Sequence, residues 1–135
     1  MANILIIDDD REISDMLSEV VATMGHTATA AFSLADGLKA AAVKPFTVIL
    51  LDVRLPDGDG MEKLPTLRNL PSSPEVIIIT AFDSREGAEL ALNSGAWNYI
   101  SKNSSINEIR LTISRAIQYK EQQTKSKSFV CCSLY

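Results

Sequence analysis

The sequence predicts an α/β fold: a doubly wound, five-stranded parallel sheet in the order 2-1-3-4-5, with helices on both faces. Three observations lead there. First, three short runs hold nothing but branched aliphatic residues: Ile4-Leu5-Ile6-Ile7, Val48-Ile49-Leu50-Leu51 and Val76-Ile77-Ile78-Ile79. Strands buried on both faces of a parallel sheet need such unbroken runs. Second, strand-like and helix-like segments alternate five times along the chain. Third, each run ends in a polar residue: Asp8 and Asp9, Asp52, and Thr80. Open α/β sheets bind their ligands outside the carboxyl ends of the strands, at the switch point beside strand one.

The bulk numbers suit one domain. A chain of 135 residues buries roughly two-thirds of its unfolded surface. Hydrophobic residues at 46% and charged residues at 22% exclude a disordered chain. A net charge of −4 argues against direct nucleic-acid binding by this segment, because phosphate contacts need clustered Lys and Arg. No apolar run is long enough to cross a bilayer, and no basic-then-apolar leader opens the chain. The expectation is a cytoplasmic segment with no membrane partner. Cys131 and Cys132 are adjacent, which is neither a disulfide framework nor a metal spacing and suits a reducing compartment. His26 is the single histidine, so imidazole ligation of a metal is not expected.

Each element follows from its residues. Asn3 to Ile7 is strand one. Asp10 caps a helix whose apolar face is Ile13, Leu17, Val20, Val21 and Met24, ended by Gly25. His26 to Ala30 alternates Thr with Ala, as a half-exposed edge strand does. Ser33 and Asp36 make a capping-box variant before a helix burying Leu34, Leu38, Ala41 and Ala42, stopped by Pro45. Strand three runs into Asp52 and a turn-rich loop, Arg54 to Gly60. The third helix covers about Met61 to Leu70, starting late or bending at Pro65. Pro71 to Pro74 leads into strand four. Asp83 and Glu86 form a capping pattern for an Ala-rich helix that reaches Asn93, contains Gly87 and is the least firmly held. Trp97 to Ser101 is strand five. Ser105 and Glu108 cap the last helix, whose core face is Ile106, Ile109, Ile113, Ala116 and Ile117. Past Gln118 the apolar stripe stops. Residues 1–122 therefore form the domain and 123–135 a linker or tail, with no clear element from Lys125 to Tyr135.

The strand order brings Asp8, Asp9, Asp52 and Thr80 to one edge. At about 4 Å and an effective dielectric of about 20, each like-charged pair repels by roughly 4 kcal/mol. Such a cluster persists only with cations. Mg²⁺ suits it, because that ion takes one or two carboxylates and keeps waters for a phosphate to replace. Lys102, just past strand five, supplies a second counter-charge. A carboxylate facing an ion, an ammonium and a hydroxyl is a phosphoryl-transfer layout, with Asp52 as the attacking group. Taken singly, these are ordinary residues: a strand-end Asp is usually a cap, and a lone Lys a surface residue. Their convergence at four strand ends carries the reading.

Four motifs carry a family resemblance: Ile6-Ile7-Asp8-Asp9-Asp10, Leu51-Asp52 through Asp59-Gly60, Ile79-Thr80-Ala81, and Gly95-Ala96-Trp97-Asn98-Tyr99-Ile100-Ser101-Lys102. Over residues 2 to 122 the chain resembles a receiver domain of a two-component response regulator, most of all those of the nitrogen-regulation class. That resemblance implies the flavodoxin-like, CheY-like version of the fold. It implies that Asp52 is the phosphoacceptor, served by a sensor histidine kinase. Asp9 and Asp52 would ligate Mg²⁺ with the backbone carbonyl of Arg54, and Asp8 through water, with Mn²⁺ or Ca²⁺ as substitutes. Lys102, Thr80 and the Ala81 amide would bind the phosphoryl group, and Thr80 and Tyr99 would form the switch. The signal would pass through the face of helix four, strand five and helix five to a covalently linked effector. In this class the effector is an AAA+ ATPase with a helix-turn-helix domain that regulates transcription. Such a domain phosphorylates and dephosphorylates itself but is a regulator, not an enzyme acting on substrates. A homodimer would form on activation, and Leu111, with Arg115 and Gln118 near it away from the isoleucine stripe, marks a candidate dimer face. Arg54 and Phe82 flank the site.

One residue departs from the family. Asn103 follows Lys102 where proline is usual. A cis bond before a non-proline residue costs about 2.5–4 kcal/mol, so a trans bond and a displaced loop are expected. Two rival functions fit less well. A haloacid-dehalogenase-type phosphatase needs a second Asp two positions after the first, where Arg54 stands. A flavin mononucleotide carrier needs a Gly- and hydroxyl-rich phosphate loop, and Asp8-Asp9-Asp10 would repel the phosphate. A stand-alone receiver acting by partner binding fits the same residues.

Overall fold

The structure is a computed structural model that describes residues 2–81 and 84–134, with side chains as far as Gln123. Five strands build the main sheet: β1 (Asn3–Ile7), β2 (Thr27–Ala31), β3 (Val48–Leu51), β6 (Glu75–Thr80) and β7 (Asn98–Ser101). Their spatial order is β2-β1-β3-β6-β7, all parallel, which is the predicted 2-1-3-4-5. Two further strands of two residues, β4 (Arg54–Leu55) and β5 (Gly58–Asp59), form an antiparallel hairpin inside the loop after Asp52. Five helices connect the strands: α1 (Arg11–Thr23), α2 (Leu34–Val43), α3 (Gly60–Arg68), α4 (Arg85–Asn93) and α5 (Ile106–Leu134).

Successive strand residues point to opposite faces, so the three aliphatic runs supply two cores at once. Ile4, Ile6, Val48, Leu50, Ile77 and Ile79 meet Leu17 and Val21 of α1 and Ile109, Ile113, Ala116 and Ile117 of α5. Leu5, Ile7, Ile49, Leu51, Val76 and Ile78 meet Leu34 of α2, Leu64 and Leu67 of α3, and Ala91 of α4. Burying each large aliphatic side chain contributes about 1.5–3 kcal/mol. The register pairs Ile7 with Leu51 and Leu51 with Ile78, which brings the carboxyl ends of the central strands level.

Local signals decide where most helices begin. Asp10 accepts from the amides of Glu12 and Ile13, Ser33 from Asp36, and Ser105 from Glu108. Other expectations are corrected. Ser84 caps α4 by accepting from Gly87 N at 3.0 Å; Asp83 lies outside the described residues, as does Phe82. His26 precedes β2, and its Nδ1 accepts from Ala2 N at 2.9 Å, an ordinary structural role. Ala42 is exposed; the close approach of α2 to the sheet is made by Gly37, where a Cβ would lie 2.5 Å from Ile7 Cδ1. Helix α3 starts at Gly60, where Asp59 caps it by accepting from Met61 N at 2.9 Å, and it runs on through Pro65. Ile106 is half exposed, not core.

The largest correction concerns the end of the chain, where α5 continues to Leu134. The stretch after Gln118 is rich in Lys, Glu and Gln and free of Gly and Pro, so helix propensity persists after the apolar stripe has stopped. Its departure from the sheet is anchored. The Trp97 and Tyr119 rings pack with centroids 4.6 Å apart and planes tilted by 37°, and Lys120 Nζ donates to the Ser73 carbonyl at 2.6 Å. Among the described residues, no helix is long and apolar enough to cross a membrane.

Candidate functional site

Three carboxylates meet where β1 and β3 end side by side. Asp8 and Asp52 are buried, at 2% and 6% exposure, while Asp9 is exposed. One carboxylate oxygen from each of Asp8, Asp9 and Asp52 lies within 4.8 Å of the others. Lys102 Nζ bridges two of these groups. It stands 2.9 Å from Asp8 Oδ2 and 3.2 Å from Asp52 Oδ2. Three carboxylates against one ammonium leave an excess of negative charge, supplied by oxygen donors alone. That donor set fits a hard divalent cation.

The electrostatics follow from burial. Asp52 is pushed up from 3.8 to about 6, first by its removal from water and next by the charge of Asp8, with Lys102 opposing both. Burial works against the charge on Lys102, but its hydrogen bond to Asp8 and the charge of Asp52 outweigh it, so its pKa is raised. Lys102 therefore stays protonated as the counter-charge of the cluster.

Backbone contacts hold Asp52 in place. Asp52 N donates to the Ile7 carbonyl at 2.9 Å, and Gly60 N to the Val53 carbonyl at 2.7 Å. A Cβ on Gly60 would collide with the carbonyl oxygen of Asp52, so α3 can begin against the end of β3 only with glycine there. The intervening hairpin is tied to α2. Asp57 Oδ1 accepts from Leu34 N at 2.8 Å and Oδ2 from Ala35 N at 2.9 Å. Those two amides, Ala35 first, hold the Asp57 carboxyl below its ordinary value. Sequence reading placed Asp57 merely among turn formers. Its only signal is a free carboxylate of the kind a helix N-terminus attracts, and nothing local says which helix.

Thr80 ends β6 almost fully buried, and Ala81 follows it exposed. Lys102 N donates to the Thr80 carbonyl at 2.8 Å, which fixes the lysine backbone beside the threonine. No cis peptide bond occurs among the described residues, so the Lys102–Asn103 bond is trans as expected, and Lys102 still reaches both carboxylates. Tyr99 is half-buried against the second core. Its hydroxyl faces Gly87, where a Cβ would stand 2.7 Å from Tyr99 Oη. A cavity of about 190 Å³ joins Thr80 and Tyr99, with Arg54, Ser84, Gly87 and Leu90 in its wall. Arg54 opens β4, two residues past Asp52. Leu111, Arg115 and Gln118 all lie exposed on α5, outside the acidic cluster.

This chain belongs to the response regulator receiver domain family, whose family model matches residues 4–114. Over 119 residues it is 35% identical to the DNA-binding transcriptional regulator NtrC of Escherichia coli strain K12, covering 87% of this chain and 25% of that protein. A receiver domain protein (CheY-like) from Methanospirillum hungatei JF-1 superposes with a TM-score of 0.85 at 28% identity, over 91% of this chain and 98% of that one. The beryllofluoride-activated NtrC4 receiver domain dimer gives a TM-score of 0.83 at 31% identity, over 89% and 99%. The chain spans about half the length of two curated relatives it matches and about a quarter of others.

Proposed function

We propose that this receiver is a phosphorylation-dependent switch of a two-component system, with Asp52 as the group that takes the phosphoryl. The observation that carries the reading is the Lys102 ammonium held 2.9 Å from Asp8 Oδ2 and 3.2 Å from Asp52 Oδ2, with the lysine backbone bonded to the carbonyl of the buried Thr80. In the reaction an Asp52 oxygen attacks the phosphorus of a phosphohistidine on a sensor kinase. The P–N bond breaks toward the imidazole, and an O–P bond forms on Asp52. Lys102 balances charge on the phosphoryl oxygens, and the Thr80 hydroxyl and the Ala81 amide donate to them. Asp9, Asp52 and the Arg54 carbonyl, with Asp8 through water, would hold Mg²⁺, with Mn²⁺ or Ca²⁺ as substitutes. When bound, the ion neutralises charge on the phosphoryl oxygens.

The new oxygens draw Thr80 toward them, and Tyr99 repacks into the space it leaves, reshaping α4. Moving such an equilibrium from 1:99 to 99:1 takes about 5.5 kcal/mol. One or two charge-assisted hydrogen bonds plus repacking are of that order. The output is a homodimer, as the beryllofluoride-activated NtrC4 receiver forms, here with the exposed Leu111 face of α5 as the candidate contact, in a cytoplasmic regulator whose linked effector controls transcription. A stand-alone receiver would use the same chemistry and differ only in its output.

The test is intact mass after incubation with Mg²⁺ and acetyl phosphate. Wild type gains one phosphoryl group and Asp52→Asn gains none. Addition to neither, or to both, would sink the assignment. Turnover of a phosphomonoester would instead favour a phosphatase.

A further inference from the structure

We infer that Ser101 is a positioning residue for Lys102, through a hydrogen bond that exists because residue 103 is not proline. The chain must turn sharply between β7 and α5, and Lys102 sits at the first corner of that turn. Ser104 N donates to the Ser101 carbonyl at 3.0 Å, which closes a four-residue turn over Ser101, Lys102, Asn103 and Ser104. Within it, Asn103 N donates to Ser101 Oγ at 3.1 Å, the local serine turn in which a hydroxyl satisfies the amide two residues on. None of the four residues has positive φ, so the corner is set by hydrogen bonds rather than by an unusual backbone angle.

Ser101 thus holds the turn twice, with its carbonyl and with its hydroxyl. On the near side of the corner, Lys102 N is tied to the Thr80 carbonyl at 2.8 Å. On the far side the hydroxyl fixes the peptide that follows Lys102. The lysine stem is thereby aimed at Asp8 and Asp52, which its ammonium meets at 2.9 and 3.2 Å. A shift of about 1 Å in a positioned charge costs up to 10²-fold in rate, so a loosened corner shows first in chemistry that uses the ammonium. Proline at 103 has no N–H to give, and Ser101 Oγ then has nothing to hold.

The inference rests on the reading of Asp52 as phosphoacceptor, and its test has an arm that does not. In the first arm, phosphorylation by acetyl phosphate with saturating Mg²⁺ is followed by intact mass. Ser101→Ala slows it about tenfold and Ser101→Thr restores it. In an Asn103→Pro background, Ser101→Ala has no further effect. Equal slowing in both backgrounds, or no slowing in either, overturns the inference. The second arm needs no phosphodonor. Urea midpoints in EDTA are compared for wild type, Ser101→Ala, Lys102→Met and the double variant. Lys102→Met shifts the midpoint less when Ser101 is already Ala, because the ammonium is then no longer aimed. Additive shifts overturn the inference even if wild type proves not to accept a phosphoryl group.

Discussion

A glycine with no chemistry of its own governs where the proposed phosphoacceptor stands. Gly60 lies so close to the Asp52 carbonyl that a methyl group there has no room. The obstacle is backbone, which cannot rotate away. Gly60→Ala is expected to cost about 1–3 kcal/mol and to cut the rate of acetyl phosphate labelling at least tenfold, read by urea melts and intact mass. A second expectation concerns Asp52. Its folded-state pKa is raised from 3.8 to about 6, so the fold prefers the protonated form. Stability without metal therefore falls as pH rises from about 4 through 6, as the buried group ionises. Asp52→Asn removes that penalty. In EDTA it should melt higher than wild type at pH 7.5, by on the order of 2 kcal/mol, and the gap should close near pH 4. Asp52, Asp8 and Lys102 were legible in the sequence because each follows a strand. The demand that residue 60 be glycine was not, since only three-dimensional closeness between the starts of α3 and its preceding loop creates it.

Helices α2 and α4 show how unequally the elements are held. Asp57 reaches from the β4–β5 hairpin to cap the first amides of α2, so the loop that carries the site and the helix beside it stabilise each other. Because the Asp57 pKa is lowered, its contribution is present above pH 3.8 and fades as pH falls through the folded value. Asp57→Ala is expected to speed hydrogen exchange at the Leu34 and Ala35 amides near neutral pH, with the difference from wild type vanishing in acid. Unchanged exchange at both amides would show that the clamp adds nothing. In α4 only Ala91 is fully buried; its apolar face is better defined than the sequence reading expected, but few of its side chains reach the core. Its amides should exchange faster than those of α1. Gly87→Ala should raise helix propensity by about 1 kcal/mol and yet displace Tyr99, seen as a changed near-ultraviolet circular dichroism signal. Apolar periodicity located α1, α2 and the first turns of α5, while α3 and α4 were placed by turn and capping residues. It missed the later turns of α5, because a helix with no sheet to cover has no stripe to read, and it missed the hairpin, whose strands have only two residues each.

At the scale of the whole molecule, one register makes both the core and the site. Three aliphatic runs in parallel alignment fill two apolar layers, and the same alignment delivers a polar residue from each run to one edge. That economy is why the fold and the acidic cluster could be read together. Partner surfaces carry no such signature. Leu111 is half exposed, and a single exposed leucine is common in any protein. The expected outcome is that Leu111→Glu weakens self-association of the activated receiver in sedimentation, while monomer stability is unchanged; identical sedimentation would rule that face out. The packing of Trp97 on Tyr119 has a mechanical consequence. The 29 residues of α5 make a rod roughly 43 Å long at 1.5 Å per residue, and Tyr119 sits near its midpoint, where the rod leaves its bed. Any tilt of the rod would turn about this pair, and the single indole of the molecule is built into it. A tilt of about 5° there swings the final turns by roughly 2 Å, and the same tilt alters the ring geometry, so the protein carries its own strain gauge, readable by tryptophan emission without any label.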